Sequence, residues 1–249
     1  MKAMILAAGL GTRLRPHTDA LPKALVEISG RTLLEITLSR LRSIGIREVI
    51  INVHHFPDMI THYLEANNSF GMHIEISREE KLLDTGGGLK NAAWFFLQQA
   101  SLSEEPFLLH NVDVISTIDL ARMVQFHAAN KVLATLAVQT RETSRYLLFD
   151  DRLQLCGRRF MKDHRTEMVC FSATQEPLAF CGIHVLSPRL LGLMTEVGAF
   201  SIIATYLRLA ALGEKVLAFR ADESYWRDLG SPENLAQAER DLTENPSLR

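Results

Sequence analysis

Two glycines and several cations share one short segment near the start of the sequence. Gly9 and Gly11 follow the apolar run 2–8, and Arg13 and Lys23 come soon after them. Glycine has no Cβ, so it adopts backbone conformations closed to other residues and lets a ligand approach closely. Successive amide N–H groups in such a turn can form a concave anion site, and the arginine fork suits phosphate oxygens. The segment therefore predicts a phosphate-binding turn at the end of a strand.

Other glycine motifs, and a turn without a ligand, are the alternatives for this segment. A dinucleotide-binding turn needs a third glycine, but Leu14 stands at that position and Pro16 prevents an uninterrupted helix. The sequence Gly-x-x-x-x-Gly-Lys-[Ser/Thr] occurs nowhere in the chain. The cations have only Asp19 among them, which favours an anionic ligand over an empty turn. We expect Asp19 to form an ion pair with Arg13 or Lys23.

Two aspartates far apart in the sequence are candidate metal ligands. Asp113 ends an apolar strand, and Asp228 lies in the late segment YWRDLG. Ligands of doubly wound sheets collect at the carboxyl ends of strands, and Mg²⁺ prefers one or two carboxylates together with phosphate oxygens and water. Aspartates in turns and helix caps are common, however, and Ser231 can cap the last helix without Asp228. The residues alone leave a metal site and a purely structural role open.

A run of three glycines, 86–88, follows Asp84 and Thr85. Glycines that open a helix cost about 1 kcal/mol each relative to alanine. We therefore expect the close approach of a flat base or a ribose to compensate, and Thr85 to cap the helix that follows.

Strand-like and helix-like segments alternate through the first half of the chain. Apolar spacing predicts strands at 2–8, 48–53, 73–77, 106–110 and 132–139, and helices at 32–43, 58–66, 88–100 and 118–129. Short strands follow at 146–149, 153–156, 168–172 and 178–185, then a helix at 200–212, a strand at 216–220 and a helix at 232–242. This pattern predicts an α/β fold with a single doubly wound, mostly parallel, Rossmann-like sheet and a small antiparallel insertion after residue 140. Trp226 and Asp228 are expected to return the chain to the main sheet.

The bulk composition limits the classes of function. The chain has 249 residues, 47% of them hydrophobic, and a formal net charge of −2, which argues against a nucleic-acid partner. No apolar run reaches the roughly 18 residues that span a bilayer. Gly9, Gly11 and Arg13 interrupt the first apolar segment, whereas a signal peptide has a continuous apolar core. The three cysteines include no CxxC pair. We therefore expect no membrane partner, reduced thiols and a cytoplasmic location.

Several segments together resemble one known family. The opening AMILAAGLGTRLRPHT and LPKALVEISGRTLLE are similar to the signature of sugar-1-phosphate nucleotidylyltransferases, and the later matching segments are LLDTGGGLKNA, FLLHNVDV, FCGIHVLSP and YWRDLGSPENLAQAE. Within that family, N-acetylmuramate-1-phosphate uridylyltransferases and mannose-1-phosphate guanylyltransferase-like proteins are the most similar. The resemblance implies the nucleotide-diphospho-sugar transferase type of fold, one domain over 1–249. Its nucleotide-binding half would be 1–140, and its sugar-binding half with the closing helix would be 141–249.

The resemblance also implies a reaction and a set of site residues. A nucleotidyl group would pass from a nucleoside triphosphate to a sugar 1-phosphate with Mg²⁺, most simply from UTP to N-acetylmuramate 1-phosphate. Arg13 and Lys23 would be catalytic, and Asp113 and Asp228 would bind the metal. The residues implied for the nucleotide are Ala8, Gly9, Gly11, Thr12, Arg13, Thr85, Gly86 and Gly87, and those for the sugar phosphate are Lys23, Asn111 and Gly182. A monomer or homodimer is expected.

Departures from the family pattern keep alternatives open. Val112 stands where relatives have a glycine, and the Glu-Lys-Pro segment that carries a sugar-phosphate lysine is missing. The arginines that could replace that lysine, or could simply be solvated, are Arg141, Arg145, Arg158 and Arg159. A guanylyltransferase, a phosphocholine-type cytidylyltransferase and a non-catalytic nucleotide-sugar binding module remain alternatives. A metal-dependent glycosyltransferase is disfavoured because Asn111 replaces the first residue of an Asp-x-Asp triplet.

Overall fold

A computed structural model describes residues 1–97 and 105–245. The strands in chain order are β1 (Lys2–Leu6), β2 (Glu27–Ile28), β3 (Arg31–Thr32), β4 (Glu48–Val53), β5 (His73–Arg78), β6 (Phe107–Asn111), β7 (Val114–Ser116), β8 (Ala134–Gln139), β9 (Arg145–Phe149), β10 (Leu155–Phe160), β11 (Thr166–Met168), β12 (Glu176–Leu186), β13 (Val216–Arg220) and β14 (Trp226–Asp228). The helices are α1 (Leu33–Ser43), α2 (Pro57–Ala66), α3 (Asp84–Asn91), α4 (Ala93–Leu97), α5 (Leu120–Asn130), α6 (Arg189–Leu193), α7 (Ile202–Ala211) and α8 (Pro232–Glu244). No helix of this part of the chain is long and apolar enough to cross a membrane.

The central sheet is parallel where β5, β4, β1 and β6 lie side by side. Ile5 pairs with Ile51 on one side and with His110 on the other. The long strand β12 runs antiparallel to both β6 and β8, and β13 then pairs parallel to β8. Since neighbouring parallel strands end at the same edge, the loops after β1 and β6 lie next to each other.

Both faces of the sheet are covered, because successive strand residues alternate between two apolar cores. Ala3 and Ile5 of β1 belong to the core beneath α1, α2, α5 and α8, whereas Met4 belongs to the core beneath α3, α4, α6 and α7. In β6 the residue Leu108 faces the first core and Leu109 the second. The prediction of a doubly wound α/β sheet is confirmed.

Side chains before the first turn fix where four helices begin. The hydroxyl of Thr32 accepts a hydrogen bond from the amide of Glu35 at 3.0 Å, and the carboxylate of Asp119 accepts one from Arg122 at 2.9 Å. Ser201 caps α7 in the same way. Ser231 caps α8, as the sequence predicts.

The antiparallel insertion is also confirmed, with shifted strands. β9 pairs with β10, β10 pairs with β11, and β9 joins the first residues of β12. The strand expected at 153–156 begins at Leu155, because Asp150 accepts hydrogen bonds from the amides of Arg152 and Gln154 and holds a turn there. The strand expected at 168–172 lies at 166–168 instead.

Two other expectations about the chain path are wrong. Trp226 and Asp228 do not return to the main sheet, since β14 pairs antiparallel with β7 in a separate two-stranded sheet. The helix expected at 88–100 begins at Asp84 and ends at Asn91, where Ala92 leaves helical geometry before α4 begins. Residues 98–100 of that expected helix lie outside the described residues.

Candidate active site

A cleft of about 430 Å³ opens at the carboxyl ends of β1 and β6. Its walls include most residues that the sequence singles out, namely Ala8, Gly9, Gly11, Thr12, Arg13, Lys23, Thr85, Asn111, Val112 and Asp113. Gly86, Gly87, Gly182 and Asp228 do not line it directly. The cleft therefore lies where a doubly wound sheet places its ligands.

The first turn contains two glycines, Gly9 and Gly11, whose backbone conformations and surroundings differ. Gly11 has a left-handed φ of 64°, and a Cβ there would lie 2.8 Å from Cγ2 of Thr18. The carbonyl of Gly11 accepts hydrogen bonds from the amide of Leu14 and the hydroxyl of Thr18, both at 2.8 Å. A Cβ at Gly9 would meet nothing within 4 Å. Gly11 therefore serves the fold of the turn, whereas Gly9 leaves open space on the cleft side.

Lys23 is held against Asp113 at the floor of the cleft. Its Nζ donates a hydrogen bond to Oδ2 of Asp113, and its side chain is only 10% exposed. Pro22 precedes a short 3-10 turn that begins at Lys23, and Lys23 is buried in that turn. The ion pair with Asp113 replaces much of the water that each of these charges would otherwise bind.

Asp113 and Asp228 come together because β7 and β14 pair. Val114 lies opposite Asp228, and the amide of Leu229 donates to the carbonyl of Asp113 at 2.8 Å. Nη2 of Arg13 lies 4.0 Å from Oδ1 of Asp228. Asp113 thus has Lys23 beside it, and Asp228 has Arg13 beside it.

Gly230 is a site residue that the sequence reasoning missed. It lines the cleft, and its amide donates to Oδ1 of Asp228 at 2.7 Å. A Cβ there would lie 2.5 Å from the same carboxylate oxygen and would also overlap Nη2 of Arg13. Its position two residues after a candidate metal ligand is the signal that could have found it.

Asp19 does not take the partner expected for it. Its Oδ1 lies 3.3 Å from Nε of Arg15, one helical turn earlier in the chain. Lys23 is hydrogen-bonded to Asp113 instead, and Arg13 lies 4.0 Å from Asp228.

Protein packing fills the space beside the triple glycine. The amides of Gly86 and Gly87 both donate to the carbonyl of Phe200, and a Cβ on Gly86 would lie 2.5 Å from Cδ2 of that ring. A Cβ on Gly87 would lie 2.6 Å from the carbonyl oxygen of Gly198. Packing of the segment before α7 thus accounts for the absence of a side chain at both positions.

Thr85 does not cap α3, contrary to expectation. The residue before that helix is Leu83, which makes no side-chain cap, and the hydroxyl of Thr85 accepts from the amide of Ile202 at 3.0 Å. Thr85 therefore ties α3 to the first turn of α7 while it lines the cleft.

A buried polar pair behind the cleft also escaped the sequence reasoning. Oδ1 of Asn52 accepts from the amide of Ala7 at 2.9 Å, and its Nδ2 donates to Glu79 at 2.7 Å. The other oxygen of Glu79 accepts from the amide of Leu83 at 2.9 Å. This chain of hydrogen bonds connects the end of β1 to the start of α3. The polar Asn52 within the apolar strand β4 was the available signal.

Asn111 and Gly182 meet on the other side of the cleft. Gly182 has a φ of 73° and a Cβ there would lie 2.8 Å from Nδ2 of Asn111. Oδ1 of Asn111 is buried without a hydrogen-bond partner among residues 1–97 and 105–245. Val112 is only 4% exposed, and its amide donates to the carbonyl of Leu6 at 3.1 Å. Its side chain belongs largely to the core, although it borders the cleft.

Two buried histidines stand behind this wall. Burial lowers the pKa of His110 to about 3, and Arg40 acts in the same direction. Burial lowers the pKa of His184 to about 3 as well, with a further contribution from His110. Nδ1 of His184 is hydrogen-bonded to Oη of Tyr206 at 2.8 Å. Both imidazoles are therefore neutral at pH 7 and supply polarity without charge.

The described residues contain no group of three or more His, Cys, Asp and Glu side chains that could hold a metal ion. Asp113 lies in the turn between β6 and β7, and Asp228 is the last residue of β14, which pairs with β7. Such a pair suits a cation that takes its other ligands from phosphates and water.

Comparison with known proteins points to one family. The sequence profile described as nucleotidyl transferase matches residues 2–148. The N-acetylmuramate alpha-1-phosphate uridylyltransferase of Caulobacter vibrioides is 34% identical over 249 residues, which cover 97% of this chain and 97% of that protein. The mannose-1-phosphate guanylyltransferase of Mycobacterium tuberculosis is 29% identical over 256 residues, which cover 99% of this chain and 67% of that protein.

Solved structures share the fold. HddC from Yersinia pseudotuberculosis, complexed with GMP-PN, superimposes with a TM-score of 0.75 at 21% identity and covers 97% of this chain and 99% of its own. A putative glucose-1-phosphate thymidylyltransferase from Bacillus anthracis gives a TM-score of 0.78 at 18% identity, covering 98% of this chain and 96% of its own. Because the profile spans more than half of the sequence and the Caulobacter relative is similar along almost its whole length, the chain belongs to the nucleotidyl transferase family of enzymes.

Proposed function

We propose that the protein transfers a nucleotidyl group from a nucleoside triphosphate to a sugar 1-phosphate, releasing pyrophosphate. The observation that carries this proposal is the meeting of two cation–carboxylate pairs, Lys23 with Asp113 and Arg13 with Asp228, beside the glycine turn. A site of this kind neutralises and positions several anionic groups at once, which is what phosphoryl chemistry demands.

The reaction needs no nucleophile from the protein. An oxygen of the sugar phosphate forms a bond to the α-phosphorus, and the bond from that phosphorus to the pyrophosphate oxygen breaks with its electron pair. The attacking oxygen is already an anion, so no base is required, and the protein contributes alignment and charge. In this proposal Lys23 binds the α-phosphate, and Arg13, whose side chain is 71% exposed, binds the departing pyrophosphate.

A divalent metal, most simply Mg²⁺, fits the donor set. Asp113, in the turn between β6 and β7, and Asp228, on the neighbouring strand β14, offer two carboxylates, and Mg²⁺ takes phosphate oxygens and water as its other ligands. When bound, the ion supplies charge stabilisation at the α-phosphate. Lys23 holds Asp113, and the amide of Gly230 holds Asp228, so both carboxylates are oriented before a ligand arrives.

The choice of substrates is the finer part of the proposal. Similarity to the Caulobacter uridylyltransferase along nearly the whole chain favours UTP and N-acetylmuramate 1-phosphate. The guanylyltransferase similarity supports GTP and mannose 1-phosphate as the alternative. A phosphocholine-type cytidylyltransferase is a further alternative. We propose one domain over 1–249, with nucleotide contacts from 1–140 and sugar contacts from 141–249, acting in the cytoplasm as a monomer or homodimer.

A substrate screen tests the proposal. The purified chain is mixed with Mg²⁺, each of UTP, GTP, CTP and dTTP, and a panel of sugar 1-phosphates and phosphocholine, and pyrophosphate release is measured. We expect release with UTP and N-acetylmuramate 1-phosphate, its loss on chelation and its return with added Mg²⁺. If nucleotides raise the melting temperature but no pair of substrates reacts, the non-catalytic binding module replaces the enzyme.

A further inference from the structure

We infer that Arg141, held on the ring of Trp226, binds the phosphate of the sugar 1-phosphate. This inference rests on the proposed function and names the residue that takes the place of the missing lysine.

Arg141 is fixed in place on two sides. Its guanidinium carbon lies 3.6 Å from the centre of the Trp226 ring, and its Nη2 donates to the carbonyl of Phe180 at 2.7 Å. The ring is itself fixed, because Nε1 of Trp226 donates to the carbonyl of Cys181 at 2.8 Å. An arginine stacked on an aromatic ring is held by its face, and its planar fork can still donate to an anion; Nη1 of Arg141 makes only a long contact of 3.5 Å with the carbonyl of Glu142.

The position of Arg141 connects it to the wall of the cleft. Trp226 and Asp228 are two residues apart on β14, so their side chains lie on the same face of that strand. Cys181 precedes Gly182, and Gly182 packs against Asn111. Arg141 does not itself line the cleft, but the ring on which it stacks lies on the face of β14 that carries Asp228.

The electrostatic surroundings agree with this placement. Burial lowers the pKa of Arg141, and its neighbours Cys181, Asp228 and Tyr146 act in the opposite direction. Asp228 is therefore close enough to stabilise the cation, although the two side chains form no ion pair. A phosphate held between Arg141 and a metal on Asp228 would meet positive charge on two sides.

Arg141 has no carboxylate partner within the described parts of the chain. Nε of Arg141 is buried and makes no hydrogen bond there. Arg158, by contrast, donates to Glu167 at 2.7 Å and lies over Phe160. Placing a partly buried cation without a counter-ion is costly, and an anionic ligand removes that cost.

Arg159 is the strongest competitor for the role. It lies opposite Tyr146 in the β9–β10 pair, so both side chains lie on one face, and Tyr146 is a neighbour of Arg141. Within residues 1–97 and 105–245, the side chain of Arg159 has no aromatic ring contact and no hydrogen bond. Arg141, by contrast, has the ring of Trp226 and the backbone carbonyl of Phe180. Arg145, on the other face of that pair, is exposed and supplies a matched control.

Steady-state kinetics of four variants test the inference: Arg141→Gln, Arg141→Lys, Arg159→Gln and Arg145→Gln. A hydrogen-bonded charge of this kind contributes roughly a 10- to 100-fold change in binding. We therefore expect Arg141→Gln to raise KM for the sugar 1-phosphate by about that factor, with KM for the nucleotide changed less than about twofold. Arg141→Lys should lie between it and the wild type, and Arg145→Gln should match the wild type.

The outcomes separate this inference from the proposed function. If the wild type forms no product with any sugar 1-phosphate, the proposed function fails. If the wild type is active and Arg141→Gln behaves like Arg145→Gln, or if only Arg159→Gln raises KM for the sugar phosphate, the assignment of Arg141 is overturned. If Arg141→Gln loses its cooperative melting transition, KM of the Arg141→Lys variant for the sugar 1-phosphate tests the assignment by itself. Lysine keeps the charge but lacks the planar group that stacks on Trp226.

Discussion

Lys23 and Asp113 show how one contact can serve both the fold and the chemistry. The lysine side chain is 10% exposed, and the carboxylate that accepts its hydrogen bond is 21% exposed. Charges at this depth are poorly screened by solvent, so removing one partner leaves the other without compensation. We therefore expect substitutions at this pair to affect both activity and stability, and the two effects must be measured separately.

The first prediction concerns Asp113→Asn. It keeps the size of the side chain but removes the charge that would bind the metal and orient Lys23, so kcat should fall by about 100-fold or more. Asp151→Asn, at an exposed turn position, is the matched control and should keep wild-type kcat. Pyrophosphate release gives the rate, and thermal unfolding shows whether the variant is folded. A folded Asp113→Asn variant with unchanged kcat would contradict the proposed role.

The second prediction concerns Gly230→Ala. The added Cβ would lie 2.5 Å from Oδ1 of Asp228 and would overlap the end of the Arg13 side chain. Arg13 is flexible and exposed, so it can move away at little cost to the fold. We expect KM for the nucleotide to rise by about tenfold, which one displaced charged contact explains. Gly192→Ala adds a Cβ that meets nothing within 4 Å and should leave KM as it is.

Among the elements, α3 is the one whose sequence is most unusual for a helix. It contains three buried glycines in DTGGGLKN and lies against Phe200 on one side and the Asn52–Glu79 pair on the other. The cost of glycine in a helix is offset here by close approach of neighbouring backbone and side chains. The cleft residue Thr85 belongs to the same helix, so this packing also sets one wall of the cleft.

The third prediction belongs to this element. Gly86→Ala should lower the free energy of unfolding by about 1–3 kcal/mol, the usual cost of overpacking, because its Cβ would overlap the ring and carbonyl of Phe200. Gly192→Ala in α6, where there is open space, should be neutral or stabilise the fold by up to about 1 kcal/mol. Urea unfolding of both variants provides the measurement. Equal stability of the two would show that α3 and Phe200 do not pack as described.

At the scale of the whole molecule, neutral histidines are built into the interior. His110 and His184 lie in neighbouring strands of the central sheet, each with a pKa lowered to about 3 by burial. His127, on the buried side of α5, has a pKa lowered to about 4 by the same cause. In the unfolded chain a histidine has a pKa of about 6.5. Below that pH the histidines of the unfolded state become protonated, whereas the buried histidines of the folded state stay neutral until the pH is much lower.

The fourth prediction concerns the dependence of stability on pH that these histidines cause. Above about pH 6.5 both states are neutral at these positions and their contribution to stability is fully present. It is lost as the pH falls from there towards about 3, the folded pKa of His184, at up to about 1.4 kcal/mol per pH unit for each histidine. His184→Gln removes one of these groups. Between pH 6 and pH 4.5 the unfolding free energy of this variant should therefore fall less steeply than that of the wild type, by up to about 1.4 kcal/mol per pH unit. The exposed His62→Gln serves as control, and identical slopes for all three proteins would refute the burial argument.

Local signals in the sequence were enough for the type of fold and for the kind of residue at the site. The alternation of apolar runs and helical spacing predicts the doubly wound sheet, because strand and helix periods differ. The glycine turn at Gly9 and Gly11 predicts an anion site, since glycine allows the left-handed backbone found at Gly11 and leaves open space at Gly9. The metal-binding assignments of Asp113 and Asp228 came from the resemblance to the family, because the residues alone left a structural role open, and the site roles of Lys23, Asp113 and Asp228 are proposals.

The partners were decided by contacts between distant segments. The pairing of β7 with β14 brings Asp228 beside Asp113, but strands of three residues leave almost no pattern in the sequence. The same holds for Phe200 against Gly86 and for Trp226 beneath Arg141. Local propensity records what a segment can form by itself, whereas the free energy that selects a partner comes from burial between segments. The sequence by itself therefore determined the type of sheet and the residue types available near its rim, and only the tertiary structure decided which charges meet there.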